Sequence, residues 1–172
     1  MFYKLATRDL IFFVLLFVLW QWLAPLSAEQ GLMGDFIGVS LGGLMALAFY
    51  LTHEWGHVLG GILGRSHMSA ASDPKAISLF IYHSEGNSKP QFMLMSFGGF
   101  LATACLVWFS YTLLPADLFA SRIAQGFSLV QVFLALVLEM PLVIWALFAK
   151  KLPPIDSPMD KATIANLLSK NN

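Results

Sequence analysis

Residues 36–64, FIGVSLGGLMALAFYLTHEWGHVLGGILG, decide how this chain is read. The stretch is apolar over more than the roughly 20 residues that a membrane-crossing helix needs. Yet three ionisable side chains, His53, Glu54 and His57, sit inside it. Groups of that kind are costly within a membrane span and are generally kept for function. The rest of the composition agrees with a membrane setting. Of 172 residues, 58% are hydrophobic and 12% charged, against about half and about a quarter in ordinary soluble domains. That excess of apolar surface needs lipid to cover it. The formal net charge is zero, which argues against a nucleic-acid partner.

Three further apolar runs flank this one, giving spans at about 10–26, 36–64, 92–114 and 127–149. The fold class expected is an all-α, multi-pass membrane protein with four transmembrane helices and one membrane domain over residues 1–172. The first run could instead be a secretory signal, since Lys4 and Arg8 precede it. Its loose cleavage sequence, Ala24-Pro25-Leu26-Ser27-Ala28, favours a retained anchor. The basic residues Lys4, Arg8, Arg65, Lys75, Lys89, Lys150, Lys151, Lys161 and Lys170 fall on one side of the four-span arrangement, and only Arg122 on the other. The positive-inside rule then puts both termini and the 65–91 segment in the cytoplasm.

The 65–91 segment reads in two ways. Ala76–His83 is rich in Ile, Phe and Tyr, Glu85-Gly86-Asn87-Ser88 has turn character, and Pro90–Met95 is apolar again. A small β-hairpin or an extended strand at the membrane surface is one reading; a plain connecting loop is the other. Residues 152–172 form a cytoplasmic tail, with a short helix expected after Ser157-Pro158-Met159-Asp160. Cys105 lies in an apolar run, where a small buried hydrophobe is expected.

His53-Glu54-Trp55-Gly56-His57 is an H-E-x-x-H pattern. Residues four apart on a helix share a face, so the two imidazoles can bind one zinc ion. Glu54 is placed to serve as general base. Zinc brings the pKa of a coordinated water toward about 7, which suits amide hydrolysis. The alternative is a buried, hydrogen-bonded cluster that packs helices. Gly56, Gly60 and Gly64 recur every four residues, and Ser96, Gly98, Gly99, Ala102 and Thr103 offer a matching small-residue surface. Such stripes let helices approach closely.

An H-E-x-G-H sequence inside a membrane span resembles the site-2 protease family of intramembrane zinc metalloproteases. The resemblance covers roughly residues 36–149. It implies a three-span catalytic core, with zinc as cofactor and a membrane-spanning protein or peptide as substrate. It also implies a β-rich segment after the motif helix that holds substrate as an added strand, and residues 76–95 lie in that position. In the family the third ligand is an aspartate in a Leu-Asp-Gly sequence, which this chain does not contain, so that ligand has to be sought among its own residues.

Catalytic zinc sites commonly take three protein ligands and leave one position open. Asp117 falls in the external loop, Asp156 and Asp160 beyond Lys150-Lys151, and His67 and His83 in the cytoplasmic segment. Glu139 is the only carboxylate within the fourth span. It stands eleven residues before Lys150, and His53 eleven before Gly64. Both therefore lie roughly 16 Å below the same surface. Pro141 is placed to kink the helix beside it. The expectation is a zinc centre of His53, His57 and Glu139 with Glu54 as the catalytic base. Thr103, Gln131 or backbone amides are the candidates for an oxyanion donor. The rival functions are a metal-binding membrane scaffold or chaperone without activity, and a zinc hydrolase of a non-peptide substrate.

Overall fold

The computed structural model describes residues 2–29, 31–73, 75 and 78–153. Helix α1 spans Phe2–Leu23 and runs into a 3₁₀ turn at Ala24–Ala28, where Pro25 can no longer supply a helical N–H. Helix α2 spans Leu32–Leu63, and strands β1 (Met68–Ala70) and β2 (Phe80–Tyr82) follow. Helix α3 covers Lys89–Thr112 and α4 Phe119–Leu134. A π-helical turn at Ala135–Glu139 leads into α5, Met140–Phe148. Among the described residues, four helical stretches are long and apolar enough to cross a membrane: Phe2–Ala28, Leu32–Leu63, Lys89–Thr112 and Phe119–Phe148. Their outer faces carry exposed large apolar residues such as Phe17, Leu63, Trp108 and Phe133.

The boundaries differ from the hydropathy reading at two places. The first helix begins at Phe2, not near residue 10, because Leu5 and Asp9 are buried against α2 and belong to the fold's interior. The fourth begins at Phe119, not near 127. Ala120 and Ser121 are fully buried there, and the Ala120 N–H donates to the Ser27 hydroxyl at 3.2 Å. The tail with Ser157-Pro158-Met159-Asp160, and with Asp156 and Asp160, lies outside the described residues.

A small two-stranded sheet is present, but with another partner and turn than the sequence indicated. β2 pairs antiparallel with β1, in the register Met68↔Tyr82, Ser69↔Ile81 and Ala70↔Phe80. Pro90–Met95 is not a strand. Ser88-Lys89-Pro90-Gln91 is a helix start, with the Ser88 N–H donating to the Gln91 side-chain oxygen at 2.8 Å and proline in the first turn, where no N–H is required. Between α2 and β1 the chain reverses through Arg65, at φ 52, with the Ser66 N–H donating back to the Gly61 carbonyl at 2.8 Å. That pattern closes a helix through a left-handed residue.

α2 is the central helix, packed by both α3 and α4. The α2–α3 contact is built on missing side chains. A methyl group on Gly56 would run into the Gly98 carbonyl and Ala102, and one on Gly60 into the Leu94 carbonyl and Met95. The small-residue stripe anticipated on both helices is therefore their interface. Gly38 and Gly42 play the same part toward Phe119 and Ile123 of α4. Cys105 does not go inside: it is exposed on the outer face of α3, because Ser96, Gly99 and Thr103 occupy the buried one.

Candidate metal centre

Helical periodicity puts His53 and His57 one turn apart on the face of α2 that meets α3. Both rings are buried, with side-chain exposures of 5% and 9%. They lie edge to face, 4.5 Å between centroids, and their Nε2 atoms are 3.0 Å apart. Gly99 makes room for them, since a methyl group there would collide with the His57 ring.

Glu139 arrives from the far end of the chain. In a regular α-helix the ring of Pro141 would clash with the Val137 carbonyl one turn earlier, and its nitrogen could not bond to it. The chain widens instead into the π turn that ends at Glu139. Such single wide turns recur at functional sites because they re-aim one side chain. Here the carboxylate reaches across to α2. Its Oε1 is 2.8 Å from His53 Nε2 and its Oε2 3.3 Å from His57 Nε2. One ligand atom from each of His53, His57 and Glu139 lies within 4.8 Å of the others, so this group could hold a metal ion.

The outward nitrogens bear on how the centre could take up a positive charge. His57 Nδ1 faces the Met95 carbonyl at 3.1 Å; His53 Nδ1 faces the Gly99 carbonyl at 3.1 Å and the Thr103 hydroxyl at 2.7 Å. A carbonyl oxygen only accepts, so in a neutral imidazole the hydrogen sits on Nδ1 and Nε2 presents its lone pair. Two lone pairs and a carboxylate then converge on one point in an apolar interior. Glu139 Oε2 is buried there without a hydrogen-bond partner among the described residues. A metal ion, or a proton on an imidazole or on Glu139, makes such an assembly tolerable. Ring nitrogens fixed by backbone carbonyls are also the usual outer support of metal-binding histidines.

Glu54 stands outside the ligand group. Its carboxylate accepts from the Leu79 N–H at 3.4 Å, with Tyr50 one turn back on α2. Both side chains considered as an oxyanion donor already have a partner. Thr103 is engaged with His53, and the Gln131 amide donates to the Phe49 carbonyl at 3.3 Å. Asp117, His67 and His83 are exposed and take no part in the group. His83 pairs instead with the Ser69 hydroxyl across the small sheet.

Asp9 was not picked out by sequence reasoning. It is 2% exposed, accepts from the Trp55 indole N–H at 2.8 Å and pairs with Arg8 at 2.7 Å. The third residue of the H-E-x-x-H pattern is thus tied to α1. Leu5, Leu51, Val58, Ala71 and Leu79 form one cluster behind it, with Tyr50 and Trp55 packed on top. The available signal was a carboxylate within an otherwise apolar helix, next to an arginine. In the same region burial pushes the pKa of the Tyr82 hydroxyl, on β2, up to about 12, so it stays neutral at physiological pH.

No protein-family model, curated protein or solved structure matches this chain. The functional reading therefore rests on the residues and their geometry.

Proposed function

We propose that this chain is an integral membrane zinc metalloprotease that hydrolyses peptide bonds of membrane-spanning substrates, the activity implied by its resemblance to the site-2 proteases. One observation carries the reading: ligand atoms converge from the buried His53 and His57 and the partly buried Glu139 within an apolar helical bundle, with a carboxylate, Glu54, directly following the first ligand. His53, His57 and Glu139 would hold the ion, a donor set of two imidazoles and one carboxylate that catalytic zinc accepts. Zinc, when bound, supplies Lewis-acid polarisation and a water acidic enough to ionise near neutral pH.

The remaining work falls to the chain's own groups. Glu54 takes the proton of the attacking water and delivers it to the departing amine nitrogen, so the C–N bond breaks to leave a carboxylate and an amine. Thr103 and the Gly99 and Met95 carbonyls hold the two imidazoles in the tautomer that ligation needs. β2 lies beside the centre, with the Phe80 ring 6.1 Å from that of His57. A locally unwound substrate segment could lie along this sheet as an added strand. The four apolar helical stretches would cross the bilayer with both termini cytoplasmic.

Purified protein incubated with a panel of membrane peptides tests this. The expected result is cleavage that stops with chelator, returns with zinc, and is lost in Glu54→Gln although zinc stays bound. Near-native turnover in Glu54→Gln would remove the base from the scheme. Zinc binding without cleavage of any peptide would favour a metal-holding scaffold or a hydrolase of another substrate. Cysteine labelling from each side of the membrane checks the topology. A residue at position 170 that labels from outside would refute it.

A further inference from the structure

At the end of α5 opposite Glu139, a cavity of about 830 Å³ opens between the exit from β2, the start of α3 and the residues that follow α5. Lys89, Lys150 and Lys151 line it, with Glu85 as the only carboxylate among its described lining residues. Most of its other polar groups are already committed. The Asn87 amide bonds to the backbone of His67 and His83, Ser88 serves in the cap of α3, and the Ser84 hydroxyl donates to the Pro153 carbonyl. The lysines are different. Lys89 gives one hydrogen bond, to the Leu147 carbonyl at 3.3 Å, and none of the three forms an ion pair among the described residues. Three ammonium groups against one carboxylate leave the cavity with a positive excess that calls for an anion.

The surroundings specify which kind of anion. Just before Lys150 and Lys151 in the chain, α5 carries exposed apolar side chains: Trp145 is 54% exposed, Leu147 54% and Phe148 85%. A small soluble anion would use the lysines and leave this face bare. A molecule with an anionic head and an apolar tail matches both at once. Lysines at the end of an apolar helix, with a tryptophan one turn inward, also lie at headgroup depth.

We propose that this cavity is a binding site for the phosphate headgroup of an anionic phospholipid, with the acyl chains lying along Trp145, Leu147 and Phe148. The site needs the chain to be in a membrane but does not depend on its being a protease. A lipid seated there bridges the end of α5, whose other end carries Glu139, to the β2–α3 connection.

The test uses full-length protein in nanodiscs of phosphatidylcholine containing a minor fraction of phosphatidylglycerol, with bound lipid read by native mass spectrometry. The wild type is expected to retain phosphatidylglycerol selectively. Near a membrane surface each lysine contributes about 1 kcal/mol toward anionic lipid, so the triple variant K89Q/K150Q/K151Q is expected to lose about a hundredfold in selectivity. Single variants should lose about fivefold each, which keeps the result readable should the triple variant fold poorly. The double variant K4Q/K75Q removes two basic residues that do not line the cavity and is expected to keep the preference. An equal loss in that double variant would mean a diffuse charge effect and overturn the site. Inorganic phosphate bound by detergent-solubilised protein as tightly as the lipid is held would overturn the assignment to lipid.

Discussion

The two sides of the metal centre are built on opposite principles. On the α2 side, His53 and His57 are spaced by a regular helix and clamped by an interface without side chains, where Gly56 meets Gly98 and Gly99 meets the His57 ring. On the other side, Glu139 stands on an irregular turn and stays 28% exposed, against 5% and 9% for the histidines. One side is held by close packing, the other by a local break in a helix before a proline. Two of the candidate ligands are thus fixed in advance, and the third comes from the element with the lighter packing around it.

This contrast can be pressed by substitution, from the largest effect down. Replacing both His53 and His57 with alanine is expected to abolish zinc binding, as read by elemental analysis of the purified protein; undiminished zinc would place the ion elsewhere. Glu139→Ala should weaken zinc affinity by more than the roughly 10- to 100-fold typical of losing an outer-shell partner, while Asp156→Ala and Asp160→Ala leave it unchanged. Competition with a chelating dye measures this. Thr103→Val removes only the hydroxyl facing His53 and should cost about tenfold by the same assay.

The packing half of the comparison has its own test. Gly56→Ala forces a methyl group against the Gly98 carbonyl, backbone that cannot give way, and is expected to destabilise by about 1–3 kcal/mol. Gly43 has nothing within 4 Å of the added carbon. Gly43→Ala should be neutral or stabilising by up to about 1 kcal/mol through helix propensity. Thermal unfolding in detergent compares the two, and equal effects would mean that α2 and α3 are not clamped as described. The smallest effect on the metal is expected at the α1 contact. Asp9→Ala leaves the Trp55 N–H without its acceptor and should lower stability by about 1–3 kcal/mol, with little change in zinc affinity.

What could be read from the sequence follows the same division. The i, i+4 spacing of His53 and His57 is a property of any regular helix, so their shared face needed no tertiary information. Glu139 was reachable by depth, because two helices running in the same direction place residues equidistant from one surface at one level. The π turn that aims it was not, since Pro141 announces a break without saying how the chain resolves it. The strand partner of β2 was missed because three-residue strands carry too little alternation to set a register, and Ser88-Lys89-Pro90-Gln91 was a capping signal read as part of a turn. Cys105 was placed inside on its residue type alone, although membrane helices expose their apolar face to lipid. Asp9 escaped because its partner, Trp55, lies 46 residues away on another helix.

The centre itself can be examined most directly by X-ray absorption at the zinc edge on detergent-purified protein. Two imidazoles and one carboxylate oxygen are predicted, at about 2.0–2.2 Å, with the carboxylate contribution missing from Glu139→Ala. A sulfur ligand, fewer than two imidazoles, or a spectrum unchanged by Glu139→Ala would contradict the account.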